Sequence, residues 1–145
     1  MTEGDSFREN SQAVQAHLAI TQSVIQRMAS NSASCKAWCI ALVSAILVLV
    51  ADKGKPEFAW LALIPTVLFL FLDAYYLSLE KMFRLSYNQF IDRLHDGKVL
   101  PADLYAITPS GPMLRSLGAS LISFSIWPFY GTMLLMVFLA KRTVM

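Results

Sequence analysis

The sequence predicts an all-α membrane protein, and two observations support this prediction. Of its 145 residues, 56% are hydrophobic and 15% are charged, whereas soluble domains average about 25% charged residues. The hydrophobic residues are also concentrated in residues 37–51, 58–79 and 119–140, with polar stretches between them. Apolar runs with so few charges are typical of helices that cross a bilayer.

Residues 1–35 are predicted to form an amphipathic helix on the cytoplasmic side of the membrane. The first ten residues are polar, and those that follow are good helix formers without Gly or Pro. No helix breaker precedes the first apolar run, so this helix is expected to continue directly into the membrane. An apolar stripe at helical spacing predicts a face that packs against a neighbouring helix. The stripe consists of Val14, Leu18, Ile25 and Met28.

Residues 36–79 are predicted to form a transmembrane helical hairpin. Its two spans cover residues 37–51 and 58–79, and Gly54 and Pro56 mark the turn between them. The second span is expected to continue past the membrane as a cytoplasmic helix, because apolar residues keep helical spacing beyond its end.

Three further segments complete the predicted architecture. Residues 80–116 contain this cytoplasmic helix and a Pro-rich connector. Residues 117–140 form a third apolar helix, which Pro128 and Gly131 are expected to break in its middle, so that it is either transmembrane or re-entrant. Residues 141–145 form a short tail.

The distribution of Lys and Arg predicts that the N-terminus lies in the cytoplasm. Three of these cations precede the first span, two lie in the first loop, five in the second loop and two after the third segment. Cytoplasmic loops of membrane proteins are enriched in Lys and Arg. A re-entrant third segment would satisfy this rule better, whereas the length of the segment favours a crossing. We expect three crossings.

Asp73 is the leading candidate for a functional residue, because it is the one acid in an otherwise apolar predicted helix. An ionisable group in hydrocarbon is unfavourable unless it is paired or hydrated. Asp73 therefore either contributes to an ion pathway or pairs with Lys36 or Arg84 near the membrane surface.

Asn31, Ser34 and Trp38 lie where the first helix enters the membrane. Small hydroxyl and amide side chains can line a water-filled vestibule, or they can let two helices approach closely. Both alternatives remain open. With Asp73, these three residues are the candidates for a pore or gate.

Six cations on the predicted cytoplasmic side are candidates for binding an anionic ligand, such as a nucleotide or an oligonucleotide. The same charges also satisfy the positive-inside rule without any ligand. The six are Arg27, Lys36, Lys81, Arg84, Arg93 and Arg115.

The sequence predicts no enzyme, no cofactor and no metal site. It contains no Gly-rich phosphate-binding loop, no HExxH motif and no GxSxG motif. Cys35 and Cys39 lie four residues apart without a second pair of ligands, and structural zinc takes four. Both cysteines are therefore expected to be packing residues.

The order of these parts resembles the SLATT family, which comprises small two-helix membrane effectors of bacterial conflict systems. The likeness is carried by RMASNSASCKAW at residues 27–38 and by FLDAYYLSLEKMFRLSYNQF at residues 71–90. It covers roughly residues 10–97. The family usually ends in a cytoplasmic helix, whereas this chain ends in an apolar segment.

The resemblance implies a homo-oligomeric pore in the bacterial inner membrane that depolarises the cell during antiphage defence. It also implies a cytoplasmic signalling partner such as a nucleotidyltransferase, and the chain is similar to a Hailong-type effector controlled by a nucleic-acid product. The alternative is a non-conducting membrane adaptor that recruits a cytoplasmic partner through its amphipathic helices.

Overall fold

The computed structural model describes residues 11–143, and every regular element in this range is helical. The polar residues 1–10 and the last two residues of the predicted tail lie outside the described residues. The prediction of an all-α fold is therefore confirmed for the described part of the chain. In chain order, the elements are α1 (Gln12–Lys53), a 3-10 helix (Pro56–Ala62), α2 (Leu63–His95), a second 3-10 helix (Pro101–Tyr105), α3 (Met113–Leu121) and α4 (Trp127–Thr143).

α1 is one uninterrupted helix of 42 residues, which corresponds to a length of about 63 Å. Ser11 caps its first turn, because the Ser11 hydroxyl accepts a hydrogen bond of 3.3 Å from the backbone N–H of Val14. Gly54 ends it in the left-handed conformation, with φ of 59°, which a residue with a Cβ rarely adopts. The polar N-terminal helix thus continues into the first apolar run, as the sequence predicts.

α2 begins later than the sequence suggests, because the segment that starts at Pro56 is first a 3-10 helix. Pro65 lies in the first turn of α2, where its missing N–H does not disrupt the helix. Its ring also disfavours a regular α-helix in the preceding turn. The Thr66 hydroxyl donates a hydrogen bond of 2.7 Å to the carbonyl of Ala62, one turn earlier.

α1 and α2 form an antiparallel hairpin with a polar half and an apolar half. The polar half comprises α1 up to residue 35 and α2 from residue 80, and the apolar half comprises the remainder of both helices. Both helices are long and apolar enough to cross a membrane. In their most apolar stretches only 22% and 33% of the residues are buried. So large an exposed apolar surface is unfavourable in water and compatible with contact with lipid.

α4 lies along the apolar half of the hairpin. The Tyr130 hydroxyl donates a hydrogen bond of 3.0 Å to the carbonyl of Phe69 in α2. At the other end of α4, the Lys141 ammonium lies 4.5 Å from the centre of the Trp60 ring, in the turn of the hairpin. A core of buried side chains joins the three helices. Its members are Cys39, Val43, Ala62, Ala74, Ile126, Tyr130, Met133 and Val137.

The interruption before α4 does not lie where the sequence analysis placed it. Pro128 is in the first turn of α4 and Gly131 lies inside the helix, whereas the break between α3 and α4 covers residues 122–126. The reason is that a proline disfavours helix in the residues before it, while a glycine keeps its backbone hydrogen bonds. α4 also extends to Thr143, so residues 141–143 are helical and not part of a tail.

The connector of residues 96–112 folds back onto the polar half. Its one regular element is the second 3-10 helix. The His17 ring stacks on Phe90 with centroids 4.3 Å apart, and His17 Nδ1 lies 3.1 Å from the carbonyl of Leu104. Val14 and Leu94 are buried beside them. The apolar stripe of α1 therefore packs against α2, as predicted from its spacing.

We expect Tyr130→Phe to loosen the contact between α4 and the hairpin. The change leaves the Phe69 carbonyl without the hydroxyl donor and should lower the free energy of unfolding by about 1 kcal/mol. Thermal unfolding of the full chain in detergent checks this. Tyr105→Phe is the matched control, because Tyr105 is 90% exposed, and it should leave the midpoint unchanged. An equal shift in both variants would contradict the docking of α4.

Candidate functional site

Asp73 is fully buried between α1 and α2 and forms an ion pair with Lys36. The Lys36 ammonium lies 2.6 Å from one oxygen of the Asp73 carboxylate. The Ser32 hydroxyl donates a hydrogen bond to the other oxygen. Ser32 and Lys36 are one helical turn apart, so they share the face of α1 that meets Asp73. Of the two cations considered as partners for Asp73, the structure uses Lys36.

The pair stabilises one register of the hairpin more than it stabilises the fold as a whole. Burying two charges is nearly as unfavourable as their attraction is favourable, whereas a single unpaired buried charge is strongly destabilising. A shift of α1 against α2 would separate Lys36 from Asp73 and leave the carboxylate without a cation. The Tyr130 hydroxyl is within electrostatic range of the same carboxylate, so α4 also packs near this point.

A second feature is a stripe along an exposed flank of α1, which we call the outer stripe. Its residues are spaced alternately four and three apart, so they share one helix face. Most of them are exposed, and Trp38 is exposed by 62%. The outer stripe consists of Arg27, Asn31, Ser34, Trp38, Ala41 and Ala45.

The outer stripe separates the four pore candidates into two groups. Asn31, Ser34 and Trp38 lie together on the outer stripe, whereas Asp73 is enclosed on the other side of α1. The Ser34 hydroxyl donates to the carbonyl of Ser30 within the same helix, at 2.9 Å. The four residues therefore do not form a single site within one chain.

The exposed face of α2 has a different composition from the outer stripe. It carries large apolar side chains, which are typical of a surface that faces lipid. Apart from Trp38, the outer stripe carries small and polar side chains at the same level of the hairpin, although α1 also exposes Ile40 and Leu42 beside it. The large residues of α2 are Ile64, Val67, Leu68, Phe71, Leu72 and Tyr75.

The six cations predicted to bind an anionic ligand do not converge on one site. Lys36 is engaged by Asp73. Arg84 pairs with Glu80 at 2.8 Å, and Arg93 pairs with Asp103 at 3.0 Å. Each of these three cations therefore already has an acidic partner in the chain, and a role for them in binding an anion stays a prediction.

Lys81 and Arg115 do come together, at a groove of about 320 Å³ between α2 and the start of α3. Neither residue has an ion-pair partner among residues 11–143. The sequence analysis named both residues but could not place them side by side, because their proximity depends on how the connector folds. Arg27 lies apart from them, on the outer stripe.

The sequence analysis missed a small cavity between the polar half and the connector, with a volume of about 120 Å³. His17, Thr21, Phe90, Arg93 and Asp103 are among the residues that line it. Asp103 closes it by accepting a 3.0 Å hydrogen bond from the backbone N–H of Leu100, in addition to its pair with Arg93. The one signal in the sequence was that Asp103 lies three residues after Leu100, a spacing at which a carboxylate can accept a hydrogen bond from the backbone at the start of a helix.

The described residues contain no group of three or more His, Cys, Asp or Glu side chains that could hold a metal ion. Cys35 and Cys39 are free thiols, and both are buried on the side of α1 that faces the other helices. Within the described range they pack as small side chains.

The fold and site define an all-helical protein built on a hairpin of two helices that are long and apolar enough to cross a bilayer. No known protein family, curated protein or solved structure matches the chain. The likeness to the SLATT family therefore remains a prediction from the sequence.

Lys36→Met should destabilise the protein strongly, because it leaves the Asp73 carboxylate buried without a cation. We expect a loss of about 3 kcal/mol, the lower end of the range for a broken buried pair, because the Lys36 side chain is still 22% exposed. The double variant Lys36→Met/Asp73→Leu should recover most of this loss. Denaturant unfolding in detergent measures the free energy of unfolding of both variants. Additive losses in the double variant would show that the two residues do not interact.

Acidification should release the connector from the polar half. The hydrogen bond from the backbone N–H of Leu100 lowers the pKa of Asp103 below its usual value, and the nearby Arg93 lowers it further, although burial acts in the opposite direction. The stabilisation by this carboxylate is therefore complete above its usual pKa of about 3.9 and is lost as the pH falls through the lowered pKa. Hydrogen exchange of residues 98–108 should accelerate over this acidic range, after correction for intrinsic rates. Asp103→Asn should remove the pH dependence, and an unchanged profile would contradict this assignment.

Proposed function

We propose that this chain forms an oligomeric, ion-conducting pore that depolarises the bacterial inner membrane. The observation that carries the proposal is the outer stripe of α1. A face that continues from the polar half into the apolar half, on which Asn, Ser and Ala flank the single large side chain of Trp38, suits contact with a neighbouring helix or with water. One chain with two or three spans cannot enclose a hydrated pore, so copies must associate.

In this proposal the outer stripes of neighbouring copies meet around the pore. Ala41 and Ala45 allow close approach of the α1 helices within the apolar half. Asn31 and Ser34 lie at the level where the polar half begins, and they present polar groups to water at the mouth of the pore. Trp38 narrows the path between these two levels and acts as the gate.

The Lys36–Asp73 pair transmits movement in this proposal rather than conducting ions. α1 is a single helix, so a displacement of the polar half also displaces the outer stripe in the apolar half. The buried pair holds α2 to α1 during such a movement, because separating the charges is unfavourable. A ligand or partner that binds the polar half could thereby open or close the pore.

We place the polar half in the cytoplasm, with α1, α2 and α4 all crossing the membrane. The excess of Lys and Arg in the N-terminal part and the second loop supports this orientation. α4 has 17 residues, or about 25 Å. It extends beside the hairpin from the level of Phe69 to its turn, which favours a third crossing over a re-entrant segment.

The proposed setting is antiphage defence. The resemblance to the SLATT family supports it. The trigger would be a nucleotide or nucleic-acid signal from a partner enzyme such as a nucleotidyltransferase, acting on the polar half.

A groove on the polar half favours the adaptor function as a second candidate. It has a volume of about 340 Å³ between α1 and α2, and Gln22, Ile25, Arg84 and Tyr87 are among its lining residues. Such a mixed polar and apolar groove suits a protein segment. An adaptor would capture its partner there without using the outer stripe.

Ala41→Leu should abolish depolarisation, because the larger side chain prevents close approach of neighbouring α1 helices. Overpacking by about 1–3 kcal/mol per contact should lower the assembly constant about tenfold or more. A voltage-sensitive dye in cells at graded induction, with matched protein levels, measures the effect. Val67→Leu enlarges an exposed residue of α2 and should behave as wild type. Asn31→Ala should reduce the depolarisation rate without dissociating the oligomer.

The proposal fails if wild-type protein in bilayers is monomeric and passes no current under every trigger tried. It also fails if Ala41→Leu and Val67→Leu have equal effects on depolarisation. Capture of a cytoplasmic partner that survives Ala41→Leu, without current in any variant, would favour the adaptor.

A further inference from the structure

The groove shared by Lys81 and Arg115 carries an unbalanced positive charge. Two of the cations that follow Lys81 in the sequence are paired within the chain, Arg84 with Glu80 and Lys98 with Asp96. No Asp or Glu lines the groove. Two like charges in one groove repel each other, and an anion between them would remove that repulsion.

The position of Arg115 adds to this imbalance. It is the third residue of α3, and the first turn of a helix carries a partial positive charge that favours anions and disfavours cations. No side chain caps this helix start. A cation here becomes favourable when a bound anion lies beside it.

Apart from Ser110 and Ser116, the remainder of the groove is apolar, and an exposed apolar surface continues from it along the chain. Met82, Leu85 and Pro112 line the groove beside the two cations. Beyond it, Leu114 is 83% exposed and Phe124 is 88% exposed. Apolar and aromatic side chains next to cations are typical of a helix that lies at the surface of a bilayer.

The groove also lies at the depth where a lipid headgroup would be. Lys81 follows the last residue of the second apolar run by two positions, and α2 passes there from the apolar half into the polar half. On the proposed topology this is the cytoplasmic surface of the membrane.

We propose that this groove binds the phosphodiester headgroup of an anionic phospholipid of the cytoplasmic leaflet. Lys81 and Arg115 contact the phosphate, and the acyl chains lie against the exposed apolar residues of α3 and the turn that follows it. This inference rests on the membrane insertion in the proposed function and does not require that the protein conducts ions. A free phosphate or nucleotide would use the same two cations but would gain nothing from Leu114 and Phe124.

The test is the preference of the purified full chain for phosphatidylglycerol over phosphatidylcholine, measured by native mass spectrometry of retained lipids in mixed nanodiscs. Lys81→Gln/Arg115→Gln should lower the preference about tenfold or more, since each juxtamembrane cation contributes to attraction of anionic lipid. Arg84→Gln/Lys98→Gln is the matched control, because it removes two cations that already have acidic partners. The control should retain most of the preference.

Two further variants distinguish a lipid phosphate from a soluble phosphate and check that a loss of binding is not caused by misfolding. Lys81→Arg/Arg115→Lys keeps both charges and should keep the preference. Leu114→Gln/Phe124→Gln should weaken lipid retention while leaving the affinity of the lipid-free protein for inorganic phosphate unchanged. An equal loss of lipid preference in the Lys81→Gln/Arg115→Gln variant and in the control would overturn the inference. The attraction of anionic lipid would then depend on total positive charge and not on this groove. Displacement of lipid by glycerol phosphate at stoichiometric concentration would overturn it in favour of a soluble phosphate.

The outcome is independent of the pore assay. Normal depolarisation without any lipid preference would overturn this inference and leave the proposed function standing. A monomer that retains phosphatidylglycerol but passes no current would support this inference and contradict the proposed function.

Discussion

The ion pair between Lys36 and Asp73 is the interaction on which the arrangement of the two long helices depends. Most contacts of the hairpin are between apolar side chains, which are tolerant of small shifts along the helix axes. A buried carboxylate does not tolerate such shifts, because it requires its cation and its hydroxyl donor at fixed positions. Ser32 and Lys36, one turn apart on α1, provide both. The pair therefore sets which face of α1 meets α2, and it does so at the boundary between the polar and apolar halves.

Fixing that face also determines what α1 presents outward. Apart from Trp38, small and polar residues are left on the outer stripe, away from the side that contacts α2 and α4. The exposed face of α2, by contrast, carries large apolar side chains suited to lipid. The proposed roles of the three regions follow from this difference between α1 and α2. The buried pair maintains the hairpin, the outer stripe contacts other copies, and the polar half receives the signal. The groove at Lys81 and Arg115 adds an attachment to the membrane surface near the point where these regions meet.

The features that could be predicted from the sequence are those that depend on local chemistry. The continuity of α1 follows from the lack of a breaker, and its end follows from Gly54. Asp73 could be singled out because it interrupts an apolar run. That Lys36 rather than Arg84 pairs with Asp73 could not be predicted, because the partner depends on the register between two helices. The break before α4 was placed at Pro128 and Gly131, although a proline exerts its effect on the turn before it. The pair of Arg93 with Asp103 requires the fold of the connector, which spacing alone does not specify.

The central claim, that copies of the chain associate through the outer stripe, is tested most directly by disulfide cross-linking in native membranes. Cys35 and Cys39 are first replaced by Ala, and a single cysteine is then introduced as Ala45→Cys or as Ile64→Cys. Both positions are exposed within the apolar half, on α1 and α2 respectively. The account predicts an intermolecular disulfide at position 45 upon mild oxidation and little or none at position 64. Equal cross-linking at both positions, or none at position 45 at any expression level, would contradict it.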